Sequence, residues 1–433
     1  MTQVVERAGP VRHRLANGLR VTVVADRTAP VVGVAVHYGV GFRSEPEGRS
    51  GFAHLFEHLM FQGGADLDGD HFRAVEGVGG RCNASTRQDY TDFHTVAPAD
   101  ALAHLLSLEA GRMRAPRITA RAIRAQAAVV TEEILTKTQR PYGGFPWPLI
   151  SPVLFRTYPN AHDGYGDHTA LADVSVRDCE EFFARHYGPG NAVLTVTGDV
   201  DTDRTLDLVE TFFGGIAARP APPAGSWWEP EPTARREEDH RDAFAALPAV
   251  ALGYRVPDPA AGLRPLVALA VLADVLVGGP RPRLAARMRD SAGPLSARCG
   301  LFDFADARDP ELWMLTAVHR PGAGREVVAA VDEDLHRLAT DGPPADELAQ
   351  AVGRRVNAHH RAMDQLANRV RALGRFAVLF DDPGLADALV VHYGRSTVDD
   401  VAAAARSLAH DRRAVLTLTP ASAGESAAGE DAR

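Results

Sequence analysis

Apolar positions recur along the chain with two periods, and the change between them marks out strands and helices. Asn17-Gly18 is a tight-turn dipeptide, after which Leu19, Val21 and Val23 alternate with Arg20 and Thr22. That alternation predicts a turn leading into a strand. A second strand is expected over roughly Val31 to Tyr38, following Pro30. Helical spacing replaces it around Gly51–Phe61, Ala99–Met113 and Thr119–Thr138. Grouped elements of this kind favour α+β layers over alternating βαβ units.

A Pro-rich run from Pro220 to Pro232 can be neither helix nor central strand and reads as an extended linker. The segments on either side look related. Ala192-Val-Leu-Thr-Val-Thr197 returns as Ala414-Val-Leu-Thr-Leu-Thr419, and each follows a helical stretch, near Val176–His186 and Val398–Ala409. We therefore expect a duplicated domain. Residues 1–219 form the first copy, 220–236 the linker, 237–420 the second copy and 421–433 a disordered tail.

Composition narrows the class without naming a function. A chain of 433 residues suits two domains, and 45% hydrophobic with 24% charged residues describes a soluble globular protein. The stretch Leu266 to Val277 is too short to span a bilayer and is interrupted by Asp274. Glu6 and the lack of an apolar run leave no visible secretory signal. Three scattered cysteines, Cys82, Cys179 and Cys299, argue against a disulfide framework or a thiolate zinc cage. A reducing cytoplasm is the expected compartment. The net charge of −9 gives no support for nucleic-acid binding, and the basic residues, all Arg except Lys137, are scattered.

The chemistry is carried by Gly51-Phe-Ala-His-Leu-Phe-Glu-His-Leu-Met-Phe61. On a helix, His54 and His58 project from one face and can bind one ion, with Glu57 beside them as a general base. The spelling is His-x-x-Glu-His. The alternative is a surface helix with two histidines and a charge. It fits poorly, because Phe52, Leu55, Phe56, Leu59, Met60 and Phe61 make the helix apolar over much of its circumference. Buried histidines and carboxylates cost several kcal/mol unless paired or bound to metal. A catalytic zinc needs a third protein ligand. Helix Thr119–Thr138 offers Glu132 and Glu133, and its apolar stripe is Ile123, Ala127, Val130 and Ile134. At 100° per residue Glu133 falls beside that stripe and Glu132 on the opposite face, so Glu133 is the expected ligand.

His54-x-x-Glu57-His58 followed by Glu133, with 74 residues between, resembles the insulinase/pitrilysin family of zinc metallopeptidases. The similarity is to the short-chain branch that includes mitochondrial processing peptidase and its bacterial relatives. Val75-Glu-Gly-Val-Gly-Gly-Arg-Cys-Asn-Ala-Ser-Thr86 looks like that family's Gly-Gly…Asn-Ala strand, and Val129-Val-Thr-Glu-Glu133 like its third-ligand helix. The resemblance spans about residues 10 to 420 and is more specific in the first half. It implies two homologous domains, each a mainly antiparallel sheet flanked by helices, closing as a clamshell over a peptide. One Zn2+ per chain is implied, with the strand at Asn83 and Ala84 offering its edge to an extended substrate. With the halves aligned on Gly63-Gly64 and Gly278-Gly279, the positions of His54, Glu57 and His58 fall on Leu269, Leu272 and Ala273, none of which can ligate a metal.

Two departures from the family pattern stand out. The usual Glu seven residues before the third ligand is Gln126, which can hydrogen-bond in support of the site but carries no charge. In the second half, Arg289 matches a substrate-contacting Arg, whereas the Tyr expected seven residues later is Ser296. In this branch the two functions can be divided between subunits. The expectation is therefore a zinc endopeptidase whose partner is a homologous subunit lacking the zinc motif, with a homodimer as the alternative. A non-catalytic structural or assembly subunit is the competing reading. His37, His94 and His104 are read as structural, and His162 and His168, in a Gly-rich loop, receive no role.

Overall fold

The computed structural model describes residues 9–64, 67, 69–165, 170–223, 227–280, 282–289 and 291–421. Among the described residues, eleven strands run in chain order as β1 (Val11–Arg14), β2 (Arg20–Ala25), β3 (Val31–Tyr38), β4 (Arg81–Thr86), β5 (Thr91–Pro98), β6 (Ala192–Gly198), β7 (Arg236–Asp242), β8 (Ala249–Arg255), β9 (Ala292–Cys299), β10 (Leu312–His319) and β11 (Ala414–Pro420). They form a six-stranded sheet of order β1-β2-β6-β3-β5-β4 and a five-stranded sheet of order β7-β11-β8-β10-β9. Omitting β1, the two orders are the same pattern. The one parallel pair also recurs, β2 with β6 and β7 with β11. The chain is thus two homologous α+β domains.

The turn before β2 forms as its dipeptide predicts. Gly18 sits at φ +95°, and the Asn17 side chain accepts from the Leu19 amide at 3.2 Å. Strand β2 departs from simple alternation, because Thr22 and Val24 are buried along with Val21 and Val23. Strands β3 and β6 are likewise buried on both faces, so the sheet needs a cover on each side.

That requirement explains how the compact units are composed. The first unit comprises Met1–Thr131, Gly164–Ser226 and His360–Ala388, and the second Glu132–Asp163, Trp227–His359 and Leu389–Arg433. Helix Leu366–Phe380, late in the sequence, packs on β6, β3 and β5 of the first sheet. Helix Trp147–Leu154, early in the sequence, packs on β11, β8 and β7 of the second. The units therefore cut across the sequence boundary expected near residues 219–237. Close approach depends on glycine: a Cβ on Gly33 would meet Leu366 and Val370 at 3.2–3.3 Å, and one on Gly374 would lie 2.2 Å from the His37 ring.

The borrowed helices also fix the register between the copies. His37 faces one of them, as Gly253 faces Ile150 of the other. His37 pairs with Val193, and Gly253 with Ala414. Val193 and Ala414 thus lie on the same face of their strands, whereas the six-residue echo sets Ala192 against Ala414 and so pairs opposite faces.

Of the Pro-rich segment, residues 220–223 and 227–233 are irregular, as expected, but Glu229 is pinned. Its buried carboxylate accepts from the amides of Arg156 (2.7 Å) and Thr157 (3.1 Å) and from the Thr157 hydroxyl (2.6 Å). The tail from 422 onward lies outside the described residues. Among the described residues, no helix is long and apolar enough to cross a membrane.

Gly374→Ala should destabilise the first unit by about 1–3 kcal/mol through overpacking against His37. Gly353→Ala lies in helix Ala345–Met363 with no atom within 4 Å of the added Cβ, and should stabilise by about 0.4–1 kcal/mol. Urea unfolding of both variants would check the opposite signs.

Candidate metal centre

Helix Phe52–Leu59 begins at Gly51, which has φ +92° and no side chain to cap the first turn. The cap comes from a distance. The buried Glu45 carboxylate accepts from the Gly51 amide at 2.8 Å and the Ala53 amide at 2.7 Å, pairing donors that a helix start leaves open. The segment bearing Glu45 is itself fastened to the β4–β5 turn: Phe42 and Arg43 donate their amides to the carbonyls of Arg87 and Gln88, each at 3.0 Å. A buried Arg43–Asp89 pair at 3.1 Å closes the same contact. On the helix's apolar side, Phe56 packs on Tyr187 and Phe182 with ring centres 5.2 and 5.1 Å away.

The opposite side carries the polar groups. His54 is buried and His58 half-buried, and their rings meet edge to face at 5.1 Å. On helix Ala120–Thr138, Ile123, Ala127, Val130 and Ile134 are all buried, Glu132 is exposed and Glu133 is half-buried. Ligand atoms of His54, His58 and Glu133 all lie within 4.8 Å of one another. Two imidazoles and one carboxylate at that spacing match the donor set of a three-ligand zinc centre with its fourth position open. Glu57 is outside this cluster. Its Oε2 accepts from the Thr86 hydroxyl at 2.7 Å, where β4 ends.

Helix Leu263–Val277, equivalent in the second copy, has Leu269, Leu272 and Ala273 fully buried, an apolar core in place of ligands. Gln126 is half-buried two turns before Glu133. Strand β4 is the edge of its sheet, with Asn83 exposed and Ala84 buried. In the second unit, Arg289 is exposed after the short helix Arg283–Arg287, and the Ser296 hydroxyl on β9 bonds that of Thr316 at 2.6 Å.

The other histidines have structural settings. Burial pushes the pKa of His37 down to about 4. His94 bonds Asp92 at 2.8 Å, the exposed His104 lies 3.4 Å from the Ala74 carbonyl, and His162 stacks on Tyr158. His168 is outside the described residues. Sequence reasoning gave no role to Glu45, to Thr86, or to Lys137, whose ammonium donates to the Glu133 carboxylate one turn away. Only Lys137 carried a signal in the sequence, as an i+4 partner on the same helix.

The family model described as Insulinase (Peptidase family M16) matches residues 20–142, and the one described as Peptidase M16 inactive domain matches residues 173–354. The chain belongs to the insulinase-type peptidase family M16. It is 27% identical over 416 residues to a protein of Mycobacterium tuberculosis (strain ATCC 25618 / H37Rv) named an uncharacterized zinc protease, covering 95% of this chain and 93% of that one. It is 30% identical over 248 residues to the zinc protease PqqE of Helicobacter pylori (strain ATCC 700392 / 26695), 56% of each chain. The crystal structure of a protease from Helicobacter pylori has the same fold, with a TM-score of 0.86 at 23% identity, covering 96% of this chain and all (100%) of that one.

Glu45→Ala would leave the Gly51 and Ala53 amides without their charged acceptor, for an expected cost of about 3 kcal/mol. Glu45→Gln, which keeps one acceptor oxygen, should lose roughly half as much. Denaturant unfolding of both variants would test this cap.

Proposed function

We propose that this chain is a zinc-dependent endopeptidase that hydrolyses extended or unfolded peptides, and that it is the catalytic subunit of a heterodimer. The observation that carries the reading is the convergence of His54, His58 and Glu133 within 4.8 Å. These three would hold one zinc ion. When bound, such an ion supplies Lewis acidity, polarising the scissile carbonyl and acidifying water. Glu57 is the general base. With Oε2 engaged by Thr86, its second oxygen is the one to take a proton from the attacking water and return it to the leaving amine. The Thr86 bond holds this carboxylate apart from the ligand cluster, so one acid ligates and the other moves the proton.

Substrate would enter as an added strand along β4, whose outer edge has no neighbouring strand among the described residues, at Asn83 and Ala84. Main-chain pairing of that kind selects extended segments and rejects folded ones. Arg289 would contribute a substrate contact, and Gln126 would support Glu133 by hydrogen bonding. The partner reading rests on Ser296, which stands where a Tyr was expected and bonds Thr316 within its own sheet. A homologous subunit that keeps Arg and Tyr would complete substrate positioning, which is worth orders of magnitude in rate.

Glu133→Ala should abolish zinc binding, whereas exposed Glu132→Ala should keep it, and Glu57→Gln should hold zinc yet lose nearly all turnover. Metal analysis beside a peptidase assay separates these roles. Zinc binding that depends on Glu132 would overturn the ligand assignment, and a wild-type protein without zinc would favour the non-catalytic subunit.

The isolated chain should show feeble activity that rises by orders of magnitude when mixed with a homologue lacking His-x-x-Glu-His but retaining Arg and Tyr. Full turnover by the chain alone, unchanged by Ser296→Tyr, would rule out the divided arrangement.

A further inference from the structure

The face of β4 and β5 opposite the His54 helix carries a polar cluster that the chemistry above does not use. Asn83 pairs with His94 across these strands, and Ser85 with Asp92. Asp92 is buried. Its carboxylate accepts from the His94 Nδ1 at 2.8 Å and from both Nε (3.0 Å) and Nη2 (3.2 Å) of Arg371. The same Nη2 donates to the Ser85 hydroxyl at 3.0 Å. Burial alone would raise the Asp92 carboxyl. The Arg371 guanidinium and the His94 bond outweigh it and hold the group well below the usual carboxylate range.

Arg371 belongs to the borrowed helix Leu366–Phe380, 286 residues from Ser85 in sequence. An edge strand is held by main-chain bonds on one side only, and a peptide pairing with its other side needs that edge in fixed register. Ser85 lies between Asn83–Ala84 and Thr86, which bonds Glu57. A guanidinium can fork onto Asp92 and still reach Ser85, whereas the compact ammonium of a lysine could not reproduce that planar geometry.

We propose that Arg371 is a positioning residue for the peptide-binding edge: anchored on Asp92, it clamps Ser85 and so holds β4 ready to pair with substrate. The second half of the sequence thereby serves the unit that carries His54 and His58 directly. This rests on the reading of β4 as the substrate edge.

The test compares wild type with Arg371→Met for zinc content, steady-state hydrolysis of an unstructured fluorogenic peptide, and hydrogen exchange. Zinc should stay stoichiometric, KM should rise about tenfold, and kcat should change less than threefold. Amides of residues 83–86 should exchange at least tenfold faster, while those of β2 and β6 keep their protection. Ser85→Ala, which leaves the Asp92 pair intact, should move KM and β4 exchange in the same direction by a smaller factor, and it carries the test if Arg371→Met does not fold. Unchanged exchange at β4 would overturn the proposal, as would a fall in kcat with KM unaltered or a loss of protection spread over the whole sheet. If wild type hydrolyses no peptide, the peptidase reading fails, and the exchange measurement still decides whether Arg371 holds the edge.

Discussion

The central strands of each sheet are buried on both faces, and most of the architecture follows from covering the second one. Strands β3 and β6 bury every position except Val31, and β8 buries all but Arg255. One helical layer can dry only one face. The other is closed by a helix from the opposite half of the sequence, brought close enough by glycines at Gly33 and Gly374 in one unit and Gly253 in the other. The borrowed helix in the first unit is more than a lid, because its Arg371 reaches Ser85 on the edge strand, next to Thr86, which bonds Glu57.

The candidate site was legible where its geometry is local. Histidines four residues apart share a helix face, and a stripe of Ile123, Ala127, Val130 and Ile134 separates Glu133 from Glu132; both follow from helical periodicity and both are found in the structure. Glu45, Thr86 and Arg371 were not legible. Their partners are Gly51 and Ala53, Glu57, and Ser85 with Asp92, contacts made by loop closure or across hundreds of residues, and no spacing rule encodes them.

The fold was legible in outline and misread in detail for a related reason. Polar Thr22 alternates with apolar residues in β2, yet it is as dry as its apolar neighbours. Thr195 and Thr197 on β6 are fully buried too, so the hydroxyls that look like surface markers lie inside. With polar and apolar positions both interior, the echo of Ala192–Thr197 in Ala414–Thr419 could slip one residue without an outward sign. It located the right strands but aligned opposite faces of them.

The exchange of helices also sets an order of events during synthesis. Chains emerge N-terminus first, and domains generally fold as units as they do. Here the first unit is missing its second cover until residues up to Ala388 have left the ribosome. Through most of translation, β3 and β6 would present an unshielded apolar face beside an open edge at β4. The unit that carries His54 and His58 therefore completes its packing only when most of the chain has been made.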